Sequence, residues 1–295
     1  MARKLFSRRT RYFLYKVWAL LGLVRWYNIV LMAIALYLSA IYLFNPESGV
    51  VQVLRDIRLH LEILALILFI ASGFIINAFY DLEKDIINRP TQTFFQKHIS
   101  KEFSFGCYFA FNSLAALISL IVDWKVFGIN VLFSFVLWAY SHKMRKMRFI
   151  GEMGAAMLTI APFFSLSVYY WDLTWKMFAF ISLIFLFILT REVVKKLIAI
   201  RGDIILGDQS IPIVIGERAA SIVVVSLGII SMLQVGYLVT QVFTGISDFL
   251  FYAMLLLLSA AVIAEGFKND HLQVNFIYKI LILLSILTIP YIGDL

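Results

Sequence analysis

The chain has 295 residues, 62% hydrophobic and 16% aromatic, with a mean hydropathy of +0.90. Charged residues make up only 15%, which excludes an ordinary soluble domain. The apolar runs are continuous rather than alternating, which excludes a β-barrel. The net charge of +8 is spread as membrane topology would spread it, not as a nucleic-acid surface.

The first sixteen residues, MARKLFSRRTRYFLYK, are basic and aromatic. No small-residue cleavage site precedes the first apolar run, so a cytoplasmic N-terminal segment is expected rather than a cleaved signal peptide. From there the pattern predicts an all-α polytopic membrane protein, one membrane-embedded unit over residues 1–295. Nine helices are expected, at about 26–45, 61–81, 104–122, 126–142, 152–171, 175–197, 219–242, 247–265 and 274–293. Each falls near the roughly 17–25 residues that cross a bilayer. Pro162 and Pro290 fall inside spans, where membrane helices tolerate proline if the freed backbone groups find partners. Two connectors are longer, about 82–102 and 198–218, and both follow an even-numbered helix.

The basic residues set the orientation. With the N-terminus in the cytoplasm, the opposite side receives only Arg55, Arg58, Lys125 and Lys176, and Lys279 falls within the last span. All other Lys and Arg lie on the cytoplasmic side, as the positive-inside rule requires. The C-terminus is then outside, and the expected home is the plasma (inner) membrane.

Asn77, Asp81 and Asp85 close the second span in IINAFYDLEKDIINRP. Positions i, i+4 and i+8 share one helix face, so three oxygen-bearing side chains form a column at the cytoplasmic mouth. The helix macrodipole disfavours carboxylates at a C-terminal end, so a bound cation or basic partners are implied. Mg²⁺ takes such oxygens together with substrate phosphates. A second cluster ends the sixth span in LTREVVKKLIAIRGDIILGDQSIPIVIG, with Arg191, Glu192, Lys195, Arg201, Asp203 and Asp208. Asp85-Ile86-Ile87 before Pro90 and Asp203-Ile204-Ile205 before Pro212 rhyme as a weak internal repeat. A third stretch, YSHKMRKMRF, carries Lys143, Arg145, Lys146 and Arg148 and reads either as a topology signal or as a pyrophosphate clamp.

The single cysteine, Cys107, has no internal partner and reads as a small core or lipid-facing residue. His60, His98, His142 and His271 match no zinc spacing and are expected near the membrane interfaces.

These parts fit one chemistry. Mg²⁺ on acids of one helix can bind a diphosphate, and nearby Lys and Arg can neutralise it as it leaves. If the diphosphate is allylic, an aromatic, water-poor cavity protects the carbocation.

The sequence resembles the UbiA-type intramembrane prenyltransferases over nearly its whole length. The resemblance is carried by VRWYN (Val24 to Asn28), NAFYDLEKDIINRP, YSHKMRKMRFIGE and REVVK…GDIILGDQSIPIVIG. It implies a nine-helix bundle and Mg²⁺-dependent transfer of a prenyl group from a prenyl diphosphate to a lipid or aromatic acceptor. By analogy Asn77, Asp81, Asp85 and Asp203 are metal ligands, and Asp81, Asp85, Asp203 and Lys195 carry the chemistry. Arg25, Asn28, Asn77, Arg89, Tyr140, Lys143, Arg145, Arg191, Glu192 and Asp208 are placed against substrate. The R-E-x-x-K of Arg191, Glu192 and Lys195 matches the branch that makes archaeal-type ether lipids, the geranylgeranylglyceryl-phosphate geranylgeranyltransferases.

Three positions depart from the family pattern. Ala199 stands where an acid usually precedes Asp203 by four, Lys196 where an acid is common, and Glu152 where an Asn is common. The second metal motif is thereby incomplete. The other readings are a prenyltransferase for an aromatic quinone precursor, an isoprenoid-binding pseudoenzyme and an ion-coupled transporter. The D-x-x-D-G-x-x-A-R pattern of CDP-alcohol phosphotransferases is absent from the sequence. The implied partners are substrate and bilayer, with no nucleic acid and no obligate protein partner.

Overall fold

A computed structural model describes residues 8–44, 46–88, 100–205, 207–241 and 246–292. The chain begins with α1 (Arg8–Leu23) and α2 (Trp26–Ser39), the latter continued by a π turn over Ala40–Phe44. A short α3 (Val50–Leu54) leads into α4 (Ile57–Asn88). Then follow α5 (Lys101–Val122), α6 (Trp124–His142), α7 (Ile150–Tyr170) and α8 (Trp175–Ile198). Two short helices, α9 (Ile200–Ile205) and α10 (Ile211–Ile215), precede α11 (Glu217–Gln241), α12 (Ile246–Lys268) and α13 (His271–Ile292). Among the described residues, nine helices are long and apolar enough to cross a membrane, from Trp26–Phe44 to His271–Tyr291. They match the nine expected spans to within a few residues.

Local chemistry sets several helix starts. Ser100 caps α5 by accepting from Phe103 N at 3.2 Å, and Asp123 caps α6 by accepting from Lys125 N at 2.7 Å. Thr174 does the same for α8, accepting from Met177 N at 3.4 Å. A capping oxygen satisfies one of the four N–H groups that a helix start leaves open. The non-glycine residues with positive φ among those described are Arg25, Phe149, Trp171 and Asn269, all in the breaks between helices.

The expected connectors differ from the observed ones. The α4 helix does not stop at residue 81 but runs through Asn88, because DLEKDIIN holds several good helix formers and no breaker before Pro90. The second connector is not an open loop, since α9 and α10 occupy most of it. The repeat suggested by Asp85 and Asp203 is not a repeat of backbone. Asp85 continues a long helix, whereas Asp203 lies in a separate six-residue helix after a break at Ala199.

The two helices that carry the acidic motifs are central. Within its apolar span, 61% of α4 is buried and likewise of α8, against 22% for α5 and α6. The main core gathers Leu36, Ile63, Phe163, Phe180, Phe187, Phe251 and Tyr278. In a bilayer such a core is held by close packing rather than by exclusion of water, so small residues matter at helix crossings. Gly228 is one: a Cβ there would lie 2.8 Å from Val262 Cγ2 of α12 and 3.3 Å from the Tyr278 hydroxyl of α13.

Candidate active site

The ends of α4, α6 and α8 and the beginnings of α2 and α7 meet at one end of the bundle. There the two polar motifs, 118 to 126 positions apart along the chain if counted from Asn77 or Asp85 to Asp203, come together. Arg145 joins them. It lies in a 3₁₀ turn (Met144–Lys146) after α6, is buried, and donates from Nη1 to Asn77 Oδ1 at 3.2 Å. Burial pushes the pKa of its guanidinium down from the ordinary value, and the nearby charges of Asp208 and Asp203 push it back up. An arginine so placed remains a cation at neutral pH.

The second motif is an ion-paired knot. Lys196 Nζ donates to Asp203 Oδ2 at 3.1 Å and lies 3.9 Å from Asp208 Oδ2. Asp203 and Asp208 are both buried, and the Asp208 N–H donates to the Asp203 carbonyl at 3.0 Å. Asp203 N–H in turn donates to the Ala199 carbonyl at 3.1 Å. One turn earlier, Lys195 Nζ sits 2.7 Å from both Glu192 oxygens. Arg191 donates from Nε to Asn275 Oδ1 on α13 at 3.2 Å.

The remaining expected residues fall as follows. Asn77 is half-buried in α4, and Asp81 and Asp85 follow it by four and eight positions in that unbroken helix. The side chains of Asp81 and Asp85, and Arg89 altogether, lie outside the described residues, as does His98. Arg25 is exposed at the start of α2, with its guanidinium 5.6 Å from the Phe74 ring centre. It has φ 52°, a left-handed conformation that non-glycine residues adopt rarely. Asn28 is half-buried in the first turn of α2. The expected clamp splits. Arg145 turns inward, while Lys143, Lys146 and Arg148 are exposed and Arg148 donates from Nε to Gln209 Oε1 at 3.0 Å. The Tyr140 hydroxyl donates to the Gly151 carbonyl at 2.9 Å, so it fixes the start of α7 and offers only its ring to a substrate. His142 hydrogen-bonds Tyr80 at 3.0 Å and stacks on Trp138. His60, His142 and His271 all sit at helix ends.

Two further polar features complete the picture: Glu152, which the sequence marked only as a departure from the family pattern, and the Glu62 network, which it did not single out. Glu152, buried at the start of α7, accepts from Ile211 N at 2.8 Å and so caps α10. Deep in the spans, Glu62 of α4 accepts from Asn130 (3.0 and 3.1 Å) and from Ser165 (2.7 Å), and Asn130 also donates to Ser119 at 3.0 Å. A carboxylate inside an apolar run is the signal that could have found this network. Beside it an apolar groove of about 500 Å³ runs between α6 and α7, from Asn130 and Ser165 to Tyr140 and Met144. Leu132, Phe149, Met153 and Met157 on its rim are exposed, so it opens sideways and not onto the charged cluster.

The donor set decides where Mg²⁺ fits. Positions 77, 81 and 85 of the unbroken α4 helix share one face, and carboxylate and amide oxygens are the hard donors that this ion would take there. On the Asp203 side an ammonium, that of Lys196, already lies among the carboxylates. Among the described residues, no three His, Cys, Asp or Glu side chains converge on a metal position.

A bundle of membrane-spanning helices with acidic and basic motifs gathered at one end defines an intramembrane enzyme class. The UbiA prenyltransferase family model matches residues 52–275, and the chain belongs to that family. It is 27% identical over 167 residues to a digeranylgeranylglyceryl phosphate synthase of Pyrococcus horikoshii, covering 56% of this chain and 59% of that protein. The chain thus spans about three fifths of the length of that relative. It is 27% identical over 240 residues to the synthase of the same name from Korarchaeum cryptofilum, covering 79% of this chain and 84% of that one. Among solved structures it is similar to a UbiA homologue from Archaeoglobus fulgidus bound to GPP and Mg²⁺, at 18% identity and TM-score 0.67, covering 94% and 98% of the two chains. A structure of digeranylgeranylglyceryl phosphate synthase aligns at 20% identity and TM-score 0.69, covering 93% and 99%. These likenesses establish the fold, and the family match with the nine apolar helices makes this an integral membrane prenyltransferase-family protein rather than a transporter.

Proposed function

We propose that this chain transfers a prenyl group from a prenyl diphosphate to the hydroxyl of a phosphate-bearing lipid of the geranylgeranylglyceryl phosphate kind. The observation that carries the reading is Arg145, buried between Asn77 of α4 and the carboxylates after α8. It ties the two motifs into one cluster of acidic and basic groups, the parts that metal-assisted binding of a diphosphate needs. The names of the relatives support the acceptor, and the A. fulgidus neighbour bound to GPP and Mg²⁺ supports the donor and the metal.

In the reaction the bond between the allylic carbon and the diphosphate oxygen breaks, and its electron pair leaves with the diphosphate. The acceptor hydroxyl oxygen bonds to that carbon and gives up its proton. Asn77, Asp81 and Asp85 would hold Mg²⁺, and the ion would supply positive charge to offset that of the diphosphate. Arg145 meets the developing charge on the leaving group, where a fixed cation in a water-poor site acts strongly. Arg25, Arg89, Lys143 and Arg191 add positive charge around the two phosphorylated substrates, and Lys195 does so while held by Glu192. Asp203 and Asp208 keep Lys196 and Arg145 in place. Asn28 and the Tyr140 ring line the approach. The positive-inside bias supports a cytoplasmic active face, with the C-terminus outside, in the plasma membrane.

A second reading, isoprenoid binding without turnover, is favoured by Lys196 and Ala199 in the second motif. One experiment separates them. The purified chain is incubated with Mg²⁺, prenyl diphosphates of several lengths, and either geranylgeranylglyceryl phosphate or an aromatic quinone precursor. Mass spectrometry should find the prenylated glycerol lipid. The aromatic product instead would correct the acceptor, and no product with either would favour binding alone.

A further inference from the structure

Lys196 is the cation ion-paired with both aspartates of the second motif. Its side chain is 15% exposed, while those of Asp203 and Asp208 are 0% and 1% exposed. Nζ lies 3.1 Å from one carboxylate and 3.9 Å from the other. Glu152 and Glu192 are also near enough to feel its charge. Two buried acidic side chains, from α9 and the turn after it, therefore converge on one ammonium within 4 Å, with Arg145 as the second cation near them. Acids buried together like this require a cation, and the chain supplies one from its own side chains, Lys196.

The position is set by local geometry. The α8 helix ends at Ile198, Ala199 takes φ −96° and ψ 10°, and α9 restarts the helical path. The break lets Asp203 and Asp208 fold back over the turn that carries Lys196. Ala199 leaves no carboxylate at the hinge that could compete for it. An ammonium is a compact point charge with three donors. It satisfies carboxylate oxygens at hydrogen-bond range without the octahedral set of about six oxygen ligands that Mg²⁺ requires. A metal among these oxygens would have to expel it.

We propose that Lys196 is a tethered counter-cation that closes the Asp203–Asp208 side of the site to divalent metal. The chain then binds its diphosphate with a single metal ion, on the Asn77–Asp85 side. This inference rests on the diphosphate-binding reading above and adds to it the number of metals.

The test counts bound ions and does not depend on turnover. The full-length chain in detergent is dialysed to equilibrium against Mn²⁺ and geranyl S-thiolodiphosphate, an unreactive donor. Wild type and Lys196→Arg should each hold one Mn²⁺ per chain. Lys196→Gln, which removes the charge, should hold two. Two ions in wild type would overturn the inference, because Lys196 would then yield to metal. One ion in a folded Lys196→Gln would overturn it too, because the carboxylates would then be no latent metal site. Should Lys196→Gln fail to fold, the counts for wild type and Lys196→Arg still decide. No ion in any of the three would refute the diphosphate reading itself, and the inference with it.

Discussion

Gly151 opens α7 directly against the backbone of Arg145: a Cβ on Gly151 would lie 2.5 Å from the Arg145 carbonyl oxygen. That approach holds the 3₁₀ turn against α7 and so aims the Arg145 guanidinium at Asn77. Backbone cannot yield as a side-chain tip can. Gly151→Ala should therefore push the turn outward and lower kcat/KM for the prenyl diphosphate by about tenfold or more, since small misplacements of a catalytic group are costly. The steady-state rate at fixed Mg²⁺ checks this, and an unchanged rate would show that the position of Arg145 does not matter.

Arg145 itself should weigh more. Removing one preorganised donor from a developing anion commonly costs ~10²–10³ in rate. Arg145→Ala is expected in that range. Arg145→Lys should recover little, because one ammonium cannot reach Asn77 and the diphosphate with the geometry of a guanidinium fork. Kinetics of both variants, with thermal unfolding as a control for folding, test the assignment.

Glu152 is assigned a structural part. Its Oε1 accepts the Ile211 N–H at 2.8 Å, and a five-residue helix has little stability of its own. Glu152→Gln keeps an acceptor and should leave the melting temperature near wild type. Glu152→Ala strands a buried N–H and should cost about 1–3 kcal/mol. Equal melting temperatures for the two variants would contradict the capping role.

Orientation is open to labelling. In a Cys107→Ser background, a cysteine at exposed Arg201, near the site, should react with an impermeant reagent only from the cytoplasm. One at exposed Trp171, at the far end of the bundle, should react only from outside. The reverse pattern would invert the topology.

The spans were legible because a continuous apolar run of bilayer length has few other fates. The helices between them were not. The α9 and α10 helices are too short to register as a period and are held by tertiary contacts such as Glu152 to Ile211. The spacing of Asn77, Asp81 and Asp85 showed a shared face but could not say what stood opposite. That partner, Arg145, comes from a basic stretch that topology alone would explain, and three of its four charges do face outward. Lys196 stood out in the sequence only as a lysine where an acid is common. In the fold its charge is matched by Asp203 and Asp208, a pairing that needs the break at Ala199 and so cannot be read from a straight helix. Glu62 passed unnoticed because its partners Asn130 and Ser165 lie on helices far along the chain.

The central claim is that the α4 column carries metal-dependent prenyl transfer. The direct measurement is product formation by wild type and Asp81→Ala in nanodiscs, with Mg²⁺, geranylgeranyl diphosphate and geranylgeranylglyceryl phosphate, read by mass spectrometry. The account predicts the doubly prenylated glycerol phosphate from wild type, its loss on chelating Mg²⁺, and none from a folded Asp81→Ala. Equal product from the two proteins would contradict it.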